Sequence, residues 1–229
     1  MLCKIQNLCK YYVRATILKV ATRNNSCEKT MTSKEILEWY EKACAFHTKR
    51  APGLAIGIAM VDMCRARLGP VKEKLNAISE SPACLCDVIQ LMTGCTMGNR
   101  YVKSYGEIGR FALTLYDRAD GRGVRAYIDL DKISASKTPE LHKFFLRQRS
   151  DAVKAGGEER LKSGDLVVKE FLTVRDQIIA LQDVFIEKFG KSEMLPAALC
   201  KSCHESFLCH NKEEECASCS GKLKYYRPA

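Results

Sequence analysis

Apolar residues first recur at helical spacing just after residue 30. One side of the predicted helix carries Ile36, Leu37, Tyr40, Ala43 and Cys44. Thr32 or Ser33 can accept hydrogen bonds from the first free N–H groups, and Glu35 lies in the first turn. The pattern therefore predicts a helix that begins close to Thr32.

A second helix is predicted to begin at Pro52, because proline suits the first position of a helix. Small residues then alternate with large apolar residues from Gly53 to Met60. Small side chains let another backbone approach closely. We therefore expect this helix to lie in the core, rather than to bind a ligand through its glycines.

Alternating apolar residues predict strands over residues 101–105, 108–116 and 124–130. The glycine-rich segment 117–123 separates the last two, so they are predicted to form a hairpin. Arg118 and Arg125 would face each other across this hairpin, which indicates a solvated surface.

Helical patterns return after the hairpin. A short helix is predicted from Thr138 and Pro139 to about Ala152, and a long one over residues 167–189 with Gly190 as its C-terminal cap. The order of helices, strands and helices predicts an α+β fold, with helices around a small antiparallel or mixed sheet.

Four cysteines near the end of the chain form the most specific motif. Cys200 and Cys203 make one Cys-x-x-Cys pair, and Cys216 and Cys219 make a second pair after a twelve-residue spacer. Four thiolates close the tetrahedral shell of Zn²⁺ and leave no open position, so the spacing predicts a structural zinc ion. A redox pair and an iron–sulfur cluster are the alternatives; Cys209 and His204 are expected to be bystanders.

Charge and cysteine content limit the classes of partner. The net charge is +10, but residues 1–30 hold six Lys or Arg against one Glu, which is half of the excess. This segment is predicted to be a basic arm that is either disordered or upstream of the true start at Met31. The cysteine module, residues 198–229, is nearly neutral and carries three consecutive Glu residues, so nucleic-acid binding is not expected.

The thirteen cysteines occur without a secretory signal pattern, and charged residues interrupt the apolar runs. No run reaches the ~18 apolar residues that a membrane span needs. The sequence therefore predicts a cytoplasmic, reducing location without membrane attachment, where cysteine clusters more often bind metal or act as reactive thiols.

Several stretches resemble one family. They are F-H-T-K-R-A-P-G-L-A-I-G (46–57), E-S-P-A-C-L-C-D-V-I-Q-L-M-T-G-C-T-M-G (80–98), Y-G-E-I-G-R-F-A-L-T-L-Y-D-R (105–118) and the Cys-x-x-Cys pairs followed by Tyr225-Tyr226. In this order they are similar to the FmdE family, which is named for a component of formylmethanofuran dehydrogenase. The resemblance implies an α+β core, often a homodimer, with a treble-clef-like zinc finger. It also implies a link to molybdenum- or tungsten-dependent one-carbon or formate redox enzymes, as in methanogenesis.

The chain departs from the family pattern at its first motif, which in the family reads Phe-His-Gly-His-x-Cys-Pro-Gly. His47 is kept, but Lys49 replaces the second histidine and Ala51 replaces the cysteine. His204 also stands where glycine is usual. Losing one histidine and one cysteine removes two potential metal ligands. We therefore expect a core site degraded for metal, which either has no ligand or takes an anion; a second metal is the alternative.

The candidate residues of this core site are His47, Cys84, Asp87 and Cys95. The resulting domain prediction is an arm (1–30), an FmdE-like core (31–157), a helical connector (158–197) and a four-cysteine zinc finger (198–229). A zinc-binding accessory subunit or relative of formylmethanofuran dehydrogenase, paired with a molybdenum or tungsten oxidoreductase, is the favoured function. The alternatives are a zinc-finger module for nucleic acid or protein, and an independent Cys/His enzyme.

Overall fold

A five-stranded mixed sheet lies at the centre of the fold. The computed structural model describes residues 29–190, 194–209 and 211–227. The predicted arm therefore lies outside the described residues, apart from Lys29 and Thr30. The sheet has the strand order β2-β1-β3-β4-β5, in which only the β1–β2 pair is parallel. Its strands are β1 Leu75–Ser79, β2 Val102–Ser104, β3 Ala112–Asp117, β4 Arg122–Ile128 and β5 Ile179–Phe185.

Six α-helices occur within the described residues. They are α1 Ser33–His47, α2 Pro52–Leu68, α3 Leu85–Thr93, α4 Pro139–Phe145, α5 Asp151–Ala155 and α6 Gly157–Ile178. The Thr32 side chain accepts from the Glu35 backbone N–H, and the Glu35 side chain accepts from the Thr32 N–H. This capping box confirms the predicted start of α1.

Helix α2 is the central element of the core. It packs against α1, α3, α6 and the sheet, and Leu54, Ile56, Ile58 and Met60 are completely buried. A Cβ atom on Gly57 would lie 3.0 Å from Leu85 Cδ2, so glycine is what lets α3 approach this closely. The prediction of a buried core helix is confirmed.

The predicted helix over residues 167–189 is wrong in its second half. Helix α6 ends at Ile178, and the next residues form β5, which pairs antiparallel with β4 from Arg122↔Phe185 to Ile128↔Ile179. The apolar residues of this stretch fit a helical period, but the open edge of β4 offers a full ladder of backbone hydrogen bonds. A bidentate pair between Arg67 and Asp183, 2.7 Å at its shorter contact, adds a side-chain contact from α2 to β5.

The other element predictions need smaller corrections. The hairpin is confirmed as β3–β4, but a 3₁₀ turn (Gly106–Ile108) replaces the start of the predicted first strand. The helix predicted to reach Ala152 ends at Phe145, and α5 is separate. The cysteine module contains a two-stranded antiparallel sheet, β6 Ala197–Leu199 and β7 Ser206–Leu208. The α+β class is confirmed.

Where the chain is described, none of its helices combines the length and the apolar character that a bilayer crossing demands. Helix α6 is the longest with 22 residues, but it carries charged side chains along its length.

Candidate metal centre and core site

The four cysteines of the two Cys-x-x-Cys pairs converge. The sulfur atoms of Cys200, Cys203, Cys216 and Cys219 all lie within 4.8 Å of one another, and the Sγ atoms of Cys203 and Cys216 are 4.0 Å apart. Four sulfurs placed tetrahedrally ~2.3 Å from one ion would be ~3.8 Å apart. The cluster can therefore hold a metal ion such as zinc with small adjustments.

Backbone N–H groups support the sulfurs of this cluster. The Cys216 N–H donates to Cys200 Sγ over 3.3 Å, and the Cys219 N–H donates to Cys216 Sγ over 3.4 Å. Hydrogen bonds from the backbone N–H groups of Cys203 and Cys216 lower the pKa of the Cys200 thiol to about 6. Such donors stabilise a thiolate, which is the form that binds metal.

Cys209 lies in the same module but outside the cluster. Its thiol is buried and donates to Glu213 Oε2 over 3.3 Å. His204 has φ 60°, a left-handed conformation that favours glycine. The glycine that is usual at this position in the family pattern thus has a conformational reason.

His47 and Asp87 meet in the core. His47 ends α1 and Asp87 lies in the first turn of α3, and His47 Nδ1 is 2.6 Å from Asp87 Oδ2. The Gln90 side-chain amide donates to Asp87 Oδ1 over 3.5 Å and accepts from the Met97 N–H over 3.1 Å. The carboxylate therefore fixes the orientation of the imidazole ring.

Cys84 occupies a strained turn next to this pair. Its backbone has φ 60° and ψ −53°, and the Leu85 N–H donates to the Ala83 carbonyl over 2.7 Å. This is a γ-turn with positive φ, a rare and strained conformation. Strain of this kind is concentrated at functional sites. Burial, followed by the charge of Asp87, raises the pKa of the Cys84 thiol to about 11, so the thiol is protonated at neutral pH.

Cys95 is placed differently from the other three candidates. It is 2% exposed, and its thiol donates to the Leu75 carbonyl over 3.1 Å, at the start of β1. Burial raises the pKa of this thiol as well. The structure thus brings His47 and Asp87 together with Cys84 beside them, whereas Cys95 is tied to the sheet.

The residues that replace the two family ligands lie at the α1–α2 junction. Lys49 is exposed, and Ala51 precedes the first residue of α2. The neighbouring Arg50 is paired with Glu41 at 2.8 Å. Thr48 has φ 62°, at the position where the family pattern has glycine.

A cavity of about 910 Å³ opens on the far side of the Cys84 turn. Residues 81–84 form one wall, and Phe111, Phe144 and Phe145 contribute aromatic surface. Its cationic lining residues are Arg110, Arg125, Arg147, Arg149 and Lys154. Among the described residues that line it, none is acidic.

Glu80 lies behind this wall and neutralises two of the cations. It accepts from Arg125 over 2.6 and 2.9 Å and lies 2.7 Å from Arg110. Hydrogen bonds from Arg125, together with the charges of Arg125 and Arg110, hold the pKa of the Glu80 carboxyl below its usual range despite its burial.

The predicted solvated surface at Arg118 and Arg125 is wrong. Their side chains are 15% and 16% exposed, and they pair with Glu73 and Glu80. Arg125 is opposite Thr114 in the β3–β4 register, and Arg118 lies beyond the end of β3. Arg125 is therefore a site residue that hairpin periodicity missed, because its carboxylate partner comes from the distant residue 80.

Known proteins share this fold and these motifs. The family model described as "FmdE, Molybdenum formylmethanofuran dehydrogenase operon" matches residues 46–180. The chain resembles the crystal structure of a tungsten formylmethanofuran dehydrogenase FmdE-like protein from Syntrophus aciditrophicus. The TM-score is 0.69 and the identity 30%, over 86% of this chain and 100% of that chain.

A curated relative is the "Probable S-adenosyl-L-methionine-binding protein" of Archaeoglobus fulgidus. It is 27% identical over 197 residues, which cover 81% of this chain and 52% of that protein. The chain thus spans about half the length of this relative. The matched family model covers more than half of the chain, including both α1–α3 motifs and four strands of the sheet. The chain belongs to the FmdE family.

Proposed function

We propose that this protein is a zinc-binding accessory member of the FmdE family, in which the cysteine module holds a structural zinc ion and the core binds no catalytic metal. One observation carries the proposal. In the described part of the chain, the cysteine cluster is the only group of three or more His, Cys, Asp or Glu side chains whose ligand atoms could share a metal ion.

The cysteine cluster has the chemistry of a structural site. Four thiolates saturate Zn²⁺ and leave no position for a substrate. In the described part of the module only Cys200 and Cys209 are buried apolar residues, whereas Leu199, Leu208 and Leu223 are exposed. So little apolar burial cannot order the segment, and the metal would supply the missing stability.

The core has the chemistry of an anion site rather than a cation site. Asp87 holds the Nδ1 side of His47, and the Cys84 thiol stays protonated at neutral pH. Lys49 would repel a divalent ion from the place of the family's second histidine. A protonated thiol is also a poor nucleophile, which counts against an independent Cys/His enzyme.

An accessory role follows from this division. Any redox centre would be carried by a partner chain, and we propose a molybdenum or tungsten oxidoreductase of one-carbon or formate metabolism in the cytoplasm. We also propose that the protein works as a homodimer. Support comes from the family assignment and from the similarity to an FmdE-like protein of a tungsten formylmethanofuran dehydrogenase.

Affinity purification from the source cell tests the partner. The tagged full-length chain is isolated under reducing conditions at low salt, and the eluate is assayed for molybdenum, tungsten and formate-dependent viologen reduction. We expect metal and activity to co-purify, and to be absent with an unrelated tagged protein. Recovery of this chain alone, in repeated preparations, would contradict the accessory role.

A further inference from the structure

The cavity beside Cys84 has a one-sided charge. Five cationic side chains line it, and Glu80 is paired with two of them, Arg110 and Arg125. Lys154 is 3.0 Å from Asp151, but this pair is exposed, with Asp151 98% accessible. Exposed pairs of this kind contribute little, so a positive excess remains in the cavity.

Arg147 and Arg149 are the source of this excess. Among the described residues, neither guanidinium has a carboxylate within ion-pair distance. Arg149 is half-buried, and burial followed by the charge of Arg160 lowers its pKa. An anion in the cavity would relieve both effects, since a guanidinium binds phosphate or carboxylate through paired hydrogen bonds.

The same cavity offers aromatic surface. The rings of Phe111 and Phe145 pack edge to face at 5.6 Å, and those of Phe144 and Phe145 at 5.2 Å. Arg149 lies over the Phe144 ring at 5.3 Å. Ring and guanidinium are thus presented side by side, which suits a ligand with a flat apolar body attached to an anionic group.

The size and the wall of the cavity fit a small molecule. About 910 Å³ is within the range of small-molecule sites, ~300–1,000 Å³. The wall formed by residues 81–84 leads directly into the first residue of α3, Leu85. The positive end of the α3 dipole therefore lies beside the cavity and adds to its attraction for an anion.

We propose that this cavity binds an organic anion whose ring or other flat apolar body packs on the phenylalanines and whose phosphate or carboxylate group is bound by Arg147 and Arg149. This assignment names the ligand class of the core site and rests on the proposed function. Cys84 borders both the cavity and the His47–Asp87 pair, so the ligand lies next to the strained turn.

Two matched dyes test the charge and the ring separately. The probe is 8-anilinonaphthalene-1-sulfonate, and its neutral analogue N-phenyl-1-naphthylamine has the same ring system without the anion. Both are titrated by fluorescence into the full-length, zinc-loaded protein. We expect one saturable site for the sulfonate, with an affinity at least tenfold higher than that of the neutral amine.

Arginine substitutions identify the site. In Arg147→Gln/Arg149→Gln the sulfonate affinity should fall about tenfold or more, because charge-assisted hydrogen bonds are lost. The affinity for the neutral amine should stay within twofold. Lys162→Gln/Lys169→Gln removes two positive charges from α6, outside the cavity lining, and should leave both affinities unchanged. Unchanged thermal unfolding shows that the variants are folded.

Displacement of the bound sulfonate distinguishes the source of the anion. Displacement by adenosine 5′-monophosphate but not by adenosine identifies a phosphate ligand, and displacement by 4-aminobenzoate but not by aniline identifies a carboxylate ligand. Equal binding of both dyes to the wild-type protein and the arginine variant would overturn the proposal. So would failure of the wild-type protein to bind the sulfonate. Neither result would alter the co-purification test, so the two proposals fail separately.

Discussion

The cysteine module and the core both contain cysteine and histidine, but they use them in opposite ways. In the module, four sulfurs converge within 4.8 Å of one another. In the core, Cys84 sits in a strained turn, Cys95 is bonded to a β1 carbonyl, and His47 is held by Asp87. Residue type alone therefore does not make a metal site; convergence of the ligand atoms does.

The two regions also differ in what stabilises them. The core buries large apolar side chains completely, among them Leu54, Ile56 and Phe171. In the described part of the module, Leu199 and Leu223 are 65% and 68% exposed. We therefore expect the core to be stabilised by apolar burial and the module by its metal, and this difference can be tested region by region.

Loss of one sulfur ligand should have the largest effect. Structural zinc contributes about 10–16 kcal/mol to the folding of small metal modules. Cys216→Ser should therefore remove the bound ion and the hydrogen-exchange protection of residues 198–209, while the sheet stays protected. Cys209→Ser is the control, because Cys209 bonds to Glu213 outside the cluster. Full metal content in Cys216→Ser would contradict the assignment.

A core truncation should have the reverse pattern. Phe171 is completely buried on α6, and Phe→Ala changes at such sites reduce the free energy of unfolding by about 3–5 kcal/mol. Phe171→Ala should lower the denaturant midpoint measured by far-UV circular dichroism and leave the metal content per chain unchanged. A parallel loss of metal would show that the two regions do not fold independently.

Glu80→Gln should have a somewhat smaller effect. Glu80 is 6% exposed, and the substitution leaves Arg125 without its carboxylate. Removing one partner of a buried pair costs about 3–5 kcal/mol; because Arg110 is accessible, we expect about 2–3 kcal/mol. Glu158→Gln, in an exposed pair with Lys162, should change stability by less than about 0.5 kcal/mol.

The same pair gives a pH dependence with a definite sign. The folded protein holds the pKa of Glu80 below its ordinary value of 4.5. Its stabilisation is therefore fully present above pH 4.5 and is lost as the pH falls through the folded pKa. The difference in unfolding free energy between wild type and Glu80→Gln should shrink below pH 4.5. A difference that stays constant from neutral pH into the acid range would contradict the pairing.

The smallest predicted effect is a gain. Thr48 has φ 62°, and the left-handed conformation costs an L-residue about 1–2 kcal/mol. Thr48→Gly removes this strain but adds chain entropy to the unfolded state, so a net gain of about 0.5–1 kcal/mol is expected. Thr173→Gly, inside α6, should instead lose about 0.5 kcal/mol. Both changes are measured as urea midpoints at constant slope.

Features encoded by neighbouring residues could be predicted from the sequence. The Thr32–Glu35 capping box and the β3–β4 hairpin depend on contacts a few residues apart, and both are present. The Cys-x-x-Cys spacing likewise places each sulfur pair on a single turn.

Features set by distant contacts could not be predicted in this way. Strand β5 has the apolar spacing of a helix, and the open edge of β4 decides its conformation. Arg125 finds Glu80 across 45 residues of chain. The cavity likewise joins the β3–β4 hairpin to the loop after α4, and only the packed structure shows that their cations line one space.

Metal content per chain shows directly whether the module, and not the core, holds the metal. Full-length wild type, His47→Ala and Cys216→Ser are purified under reducing conditions and analysed by inductively coupled plasma mass spectrometry. We expect about one ion per chain in wild type and in His47→Ala, and about none in Cys216→Ser, because four thiolates saturate a single zinc ion. Two ions in wild type, with one lost in His47→Ala, would contradict this division.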